Sequence, residues 1–457
     1  MRTRTVEQEY LSFSRKSTVK VVQEYRRKYE AISGVLEANP KILNLAHEDF
    51  SNGLSESEGG RGGYTSEQVL RSLIVMFIEG DSYRDVVVRI ENSEFFQRFV
   101  KLGIKPMMDY SFLCKAYGVM KKETWQEMNE ALSRYAKKEE KITQEKVRVD
   151  STVYETNIHY PTDSSLLWDS FRTLARLMKQ VSEEMRTVGF SHRFHVKKVK
   201  KLAYFISRNS DKKDKKTQRK IKGRYRKLID RVMWITEVGN TAKILLAEGG
   251  LEARAVAAEL GHYVPIVEKI IAQAERRVFQ GEKVPSADKV YSLFEEHTEL
   301  LKRGKAGKPI EFGHKVVLAE TGEKFILHYN ALKKQKADKD LLEETLKAHR
   351  KIFGKGPEVL ATDKGFYESR EQIESLSKKI KTVSICKKGR RTEEESERES
   401  TEEFKAGQRF RAGIEGTISV LKRAFKLKRC LFQGFKNYAA SLGCAVFCHN
   451  LVLLAEL

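Results

Sequence analysis

The stretch KVRVDST, residues 146–152, decides the fold. Val147 and Val149 alternate with polar neighbours, which is the period of a short β-strand with one buried face. The strand is expected to end at Asp150, a residue type that strands disfavour. A carboxylate there adds little stability, but a rigid element holds it in register for chemistry. A second stretch repeats the pattern: GPEVLATDKG, residues 356–365, reads as a strand ending in Asp363, with Lys364-Gly365 allowing a tight exit. Two strand-end aspartates converge if their strands are neighbours. Each one alone reads equally well as a turn or cap residue.

A third acid lies in QRFRAGIEGTISVLKRAF, residues 408–425, part of a long helix expected from about Gly407. Phe410, Ile414, Ile418, Leu421 and Phe425 follow an apolar stripe. Arg411, Glu415 and Lys422 fall on an adjacent face, because steps of four and seven residues return near the same angle. Taken alone, Arg411 and Glu415 would be a surface ion pair worth a few tenths of a kcal/mol.

The elements around these acids alternate between strand and helix. EFGHKVVLAE and KFILHYNAL read as a hairpin about Thr321-Gly322. KDLLEETLKAHRKIF is a helix, Ser369 and Gln372 cap another that carries Ile373, Leu376 and Ile380, and KTVSICKK is a strand. The glutamate-rich TEEESERESTEE, residues 392–403, reads as a solvated loop. The resulting order is strand, large helical insert, two strands, helix, strand, helix, strand, helix. Three regions follow: a helical arm and linker over 1–63, with SNGLSESEGGRGG as the linker; a helical region over 64–140; and an α/β region over 141–457, interrupted by a helical insert at about 166–285. In the second region Thr65 and Gln68 form a capping box ahead of an amphipathic helix, and Glu79-Gly80-Asp81-Ser82 turns into YRDVVVRI. This pair reads either as a DNA-reading helix-turn-helix or as plain helical packing.

The 457 residues carry 86 Lys plus Arg against 63 Asp plus Glu, a formal charge of +23. So basic a chain favours a polyanionic partner through counterion release, and nucleic acid is the commonest one. The excess concentrates in the insert, where seventeen basic residues between Arg193 and Arg231 meet only Asp211, Asp214 and Asp230. Lys197, Lys198, Lys212, Lys213, Lys215, Lys216, Arg219, Lys220 and Arg224 are the candidate DNA-phosphate contacts, with Tyr204, Phe205 and Tyr225 interleaved. The alternative is a solvated face. No run of roughly twenty apolar residues reads as a membrane span, and the amino terminus lacks a signal-peptide core, so a cytoplasmic protein is expected. Five cysteines form no disulfide framework. Cys444, Cys448 and His449 are close in sequence, but they sit in an apolar helical run with no fourth zinc ligand nearby.

The spacing Arg411, Glu415, Lys422, together with Asp150 and Asp363, resembles the signature of insertion-sequence DDE transposases. VDSTVYETNIHYPTDSSLLWD, LFEEHTELLKRGKAGKPIEFGHKVVLAE, TDKGFYES and the final helix resemble the ISNCY-like branch, and the resemblance runs from about Tyr64 to the carboxyl terminus. One departure is Gln408, which stands where the signature often has Tyr. The resemblance implies an RNase H-like mixed sheet in which Asp150, Asp363 and Glu415 are catalytic and hold Mg2+ or Mn2+, two ions in all. Hard divalent cations take oxygen ligands of this kind. It implies cutting of the element ends and joining to target DNA, with Arg411 and Lys422 contacting DNA. The implied partners are the terminal inverted repeats, the target DNA and further copies of the chain, a homodimer or higher oligomer in a bacterial or archaeal cytosol. The rival readings are a binding protein that no longer cuts, and a nuclease that cuts without joining. Glu295 and His297 border the site or lie on a surface helix. Asn157, Tyr160 and Asp163 shape its edge or form a structural loop.

Overall fold

The computed structural model describes residues 17–54, 63–187, 189–302 and 309–457. Most of the linker read at 51–63, the first sixteen residues of the arm, and residues 303–308 of the family-like block lie outside them. The chain divides into two compact units, Met1–Glu155 with His314–Leu457, and Thr156–Gly313.

Among the described residues the first unit opens with seven helices: α1 (Lys20–Ala38), α2 (Pro40–Gly53), α3 (Ser66–Ile78), α4 (Tyr83–Glu91), α5 (Glu94–Val100), α6 (Tyr110–Val119) and α7 (Lys122–Lys138). The capping box of α3 forms as expected, with the Gln68 amide bonded to Thr65 Oγ1 at 3.2 Å. The helix is not amphipathic, however: every residue from Ser66 to Phe77 is buried. Burial of Arg71 is tolerated because its guanidinium donates to Glu67 at 3.0 Å, to Ser33 at 2.8 Å and to the Phe99 carbonyl at 3.1 Å. The turn into α4 uses Gly80 at φ 69°. The exposed residues of α4, Arg84, Asp85, Val88 and Glu91, carry two acids against one cation, a poor complement to a phosphate backbone.

The sheet follows. β1 (Lys146–Thr156) pairs in parallel with β5 (Val359–Thr362), and β5 with β6 (Thr382–Ile385). On the other side of β1 lies β3 (Ile310–Thr321), which forms the expected hairpin with β4 (Ile326–Ala331). The sheet therefore mixes parallel and antiparallel strands, consistent with an RNase H-like α/β core. Helices α13 (Leu342–Phe353) and α14 (Arg370–Ser377) connect the strands as read.

Two further expectations need correction here. The glutamate-rich segment is not a loop but helix α15 (Glu393–Ser400), capped by a Thr392–Glu395 box. Glu395 and Glu399 turn inward to Lys387 and Arg391, so acids that look solvated in sequence are paired. The helix expected from Gly407 is two helices, α16 (Glu402–Ala412) and α17 (Ile414–Ala424), broken at Gly413. After β7 (Arg429–Cys430), which pairs with β1, comes α18 (Phe435–Glu456). It is long and apolar enough to cross a membrane by composition, but 83% of its apolar window is buried in the unit. Cys444, Cys448 and His449 belong to that interior, and burial lowers the His449 imidazole to about 4. The amino-terminal helices and the sheet share one continuous apolar core, from Tyr29 and Phe50 through Trp125 and Val149 to Phe447.

The second unit is built from α8 (Asp163–Gln180), α9 (Ser182–Thr187), α10 (Val196–Asn209), α11 (Lys215–Leu246) and α12 (Leu251–Val278), with its own core around Phe171, Leu228, Ile235 and Ile270. Its strand β2 (Glu299–Lys302) pairs antiparallel with residues 310–313.

Candidate active site

Parallel pairing sets the first two acids. Val149 of β1 lies opposite Thr362 of β5, so Asp150 and Asp363 are the next residues on adjacent strands, whose axes stand about 4.8 Å apart. β1 does not stop at Asp150 as expected. It runs on to Thr156, and Asp150 marks instead the point where its pairing with β5 ends. Asp363 does end its strand: its Oδ1 accepts from the Gly365 amide at 2.9 Å and caps the short turn Lys364–Phe366.

Asp150 is buried. Its Oδ1 accepts from the Ser151 amide at 2.7 Å and its Oδ2 from Arg411 Nη2 at 3.0 Å. Burial pushes its carboxyl above the ordinary value; Arg411 and the Ser151 amide pull it down, and Asp363 and Glu415 push it up again. Asp363 and Glu415 are thus both close enough to act on Asp150. Glu415 sits in the first turn of α17 with its side chain 69% exposed, 3.5 Å from Arg411 Nη1. Arg411 is therefore no free surface cation: its fork spans Asp150 and Glu415. Lys422 follows Glu415 by two turns and is half-buried.

Among the described residues no three acids close into a ready ligand set. The donor chemistry nevertheless fits a hard divalent cation: Arg411, whose Nε is buried and unbonded, spans the carboxylates of Asp150 and Glu415, and Asp363 follows the residue paired beside Val149. Such crowding of negative charge is what a cation relieves.

Gln408, in the departing position, has a part that the sequence did not reveal. Its Nε2 donates to the Ser384 carbonyl at 2.7 Å, to Ser384 Oγ at 3.0 Å and to the Thr362 carbonyl at 3.3 Å, tying α16 to the ends of β5 and β6. Arg148 and Glu320, also missed, form a buried ion pair beneath the helix break. Burial raises the Glu320 carboxyl while Arg148 and Thr417 lower it.

The remaining candidates lie in the second unit. Glu295 is buried and His297 half-buried, and the two are bonded to each other at 2.7 Å. Asp163 is structural: it accepts from Gln273 at 3.1 Å and Arg277 at 2.9 Å, clamping α8 to α12. Asn157 and Tyr160 are exposed, the Tyr160 ring lying 5.6 Å from that of Phe312. Lys197 and Lys198 stand at the start of α10, Lys212 and Lys213 in the turn after it, and Lys215, Lys216, Arg219, Lys220 and Arg224 along α11; all are exposed. Arg224 also crosses to α10, its guanidinium carbon 5.3 Å from the Phe205 ring centre.

Asp150 and Asp363 thus stand side by side where the β1–β5 pairing ends, and Arg411 links Asp150 to the helix-borne Glu415. Residues 297–451 match the family model of the transposase DDE domain. That match supports an insertion-sequence DDE transposase and does not single out the ISNCY-like branch. No curated protein and no solved structure matches the chain.

Proposed function

We propose that the protein cuts the ends of an insertion sequence and joins them to target DNA. The observation that carries this reading is that Asp150 and Asp363 each follow the last paired residues, Val149 and Thr362, of neighbouring parallel strands, with Glu415 linked to Asp150 through Arg411. Asp150, Asp363 and Glu415 would hold two Mg2+ or Mn2+ ions, which when bound supply Lewis acidity and an activated oxygen nucleophile. The chain's own contribution is positional: β1 and β5 fix two carboxylates, and α17 delivers the third. Arg411 is placed to transfer its fork from the acids to a DNA phosphate, which it can grip with two parallel bonds. Lys422, on the Glu415 face of α17, adds charge beside the same phosphate. The exposed cations of α10 and α11 hold the DNA backbone without reading its sequence. Action as a homodimer or higher oligomer in the cytoplasm is part of the proposal.

The test is a cleavage and strand-transfer assay on element-end DNA with Mg2+, using the wild type, Asp363→Ala and Glu415→Ala. Both variants should bind DNA and neither should cut. Glu415→Ala cutting at near wild-type rate would refute the assignment. A wild type that cuts without joining would be the nuclease, and one that only binds would be the non-cutting protein.

A further inference from the structure

The Arg148–Glu320 pair has no place in the chemistry above, yet it is fully enclosed: Arg148 is 5% exposed and Glu320 0%. Arg148 precedes Asp150 by two residues and so shares its face of β1. Its Nε and Nη2 face Glu320, while Nη1 donates to the Phe410 carbonyl at 2.7 Å, with the guanidinium carbon 4.7 Å from the Phe410 ring centre. In an unbroken helix that carbonyl would accept from the Ile414 amide. Here it accepts instead from Arg148 and from Gly413 N, the latter at 3.1 Å. A side chain inserted into the helical hydrogen-bond ladder is a known cause of a kink. Gly413 is what admits it, since a Cβ there would lie 2.1 Å from Nη1 and 2.9 Å from Cζ. The break falls between Arg411 and Glu415.

We propose that Arg148, oriented by Glu320, is a positioning residue that wedges α16 from α17 and thereby aims Glu415 and Arg411 at Asp150. The inference rests on the metal-dependent reading of the site. A buried ion pair is seldom needed for stability, because apolar residues of similar volume often replace it without loss. The pair's three-way geometry is the part that apolar residues cannot reproduce.

The experiment compares Mn2+ binding by calorimetry, thermal melting and DNA cleavage in the wild type, Asp150→Ala, the double variant Arg148→Met/Glu320→Leu, and Gly413→Ala. The double variant should melt within a few degrees of the wild type, bind Mn2+ about 10- to 100-fold more weakly, as is typical on losing a residue that orients metal ligands, and lose cleavage in proportion. Gly413→Ala, which displaces the guanidinium while leaving the pair's charges in place, should show the same loss; it serves alone if the double variant fails to fold. Wild-type Mn2+ affinity and cleavage in either folded variant would overturn the proposal. A wild type whose Mn2+ binding is absent, or survives Asp150→Ala, would instead overturn the metal reading and the proposal with it.

Discussion

Replacing Asp150 with Asn separates the stability of the site from its function. The carboxylate gains roughly 4 kcal/mol of attraction from Arg411 at an effective dielectric constant near 20, yet its ionised form is still disfavoured in the folded state, first by burial and then by Asp363 and Glu415. Each pKa unit of such displacement corresponds to about 1.4 kcal/mol. A carboxyl whose folded pKa is raised makes ionisation cost stability: the cost is absent below the ordinary value of 3.8, grows as pH rises through the raised value and is full above it. Asn removes that cost at every pH but offers one acceptor to two donors, Ser151 N and Arg411. That second effect does not vary with pH. The stability of Asp150→Asn relative to wild type should therefore rise between about pH 4 and neutrality and level off, by on the order of 1 kcal/mol, the usual size for relief of a strained functional site. Mg2+ at a hundred times its dissociation constant should then stabilise the wild type by about 2.7 kcal/mol and the variant hardly at all. Melting curves from pH 4 to 8, with Mg2+ and with chelator, measure both effects. A stability difference that is flat with pH, or equal stabilisation of both proteins by Mg2+, would refute the reasoning.

Two further outcomes test the cations. Neutralising Lys212, Lys213, Lys215 and Lys216, all exposed, should weaken binding to every DNA sequence alike and reduce the slope of log affinity against log salt by up to about 0.9 for each phosphate no longer neutralised; fluorescence anisotropy in a salt series would show an unchanged slope if the run is only a solvated face. Lys422→Gln should keep its melting temperature within a few degrees while cleavage falls about tenfold or more. Arg411→Lys should lose activity as well, because one ammonium cannot span Asp150 at 3.0 Å and Glu415 at 3.5 Å; full activity in both variants would remove the cations from the mechanism.

Local pattern carried much of the architecture. The strands before Asp150 and Asp363, the hairpin of β3 and β4, and the caps at Thr65 and Ser369 depend on groups a few residues apart, which periodicity and cap chemistry record. What failed was whatever depended on a distant partner. The helix through Glu415 looks continuous because its apolar stripe keeps its period across Gly413, while the residue that breaks it comes from a strand more than 260 positions earlier. Glu395 and Glu399 look solvated because Lys387 and Arg391 become their partners only when the helix folds back. The polar residues of α3 look outward-facing because nothing nearby shows that Ser33 and Phe99 will receive Arg71.

By itself, then, the sequence pointed to three candidate acids and determined the strands that bear two of them, the cation spacing around Glu415 and the basic character of the insert. These are properties of residue type and short-range spacing. The tertiary structure alone decided that Asp150 and Asp363 lie side by side, that Arg411 bridges Asp150 to Glu415, that Gln408 ties α16 to the strand ends, and that the amino-terminal helices share a core with the sheet. Strand neighbours and buried pairs are long-range choices, set by which distant groups satisfy one another's hydrogen bonds and charge once water is excluded.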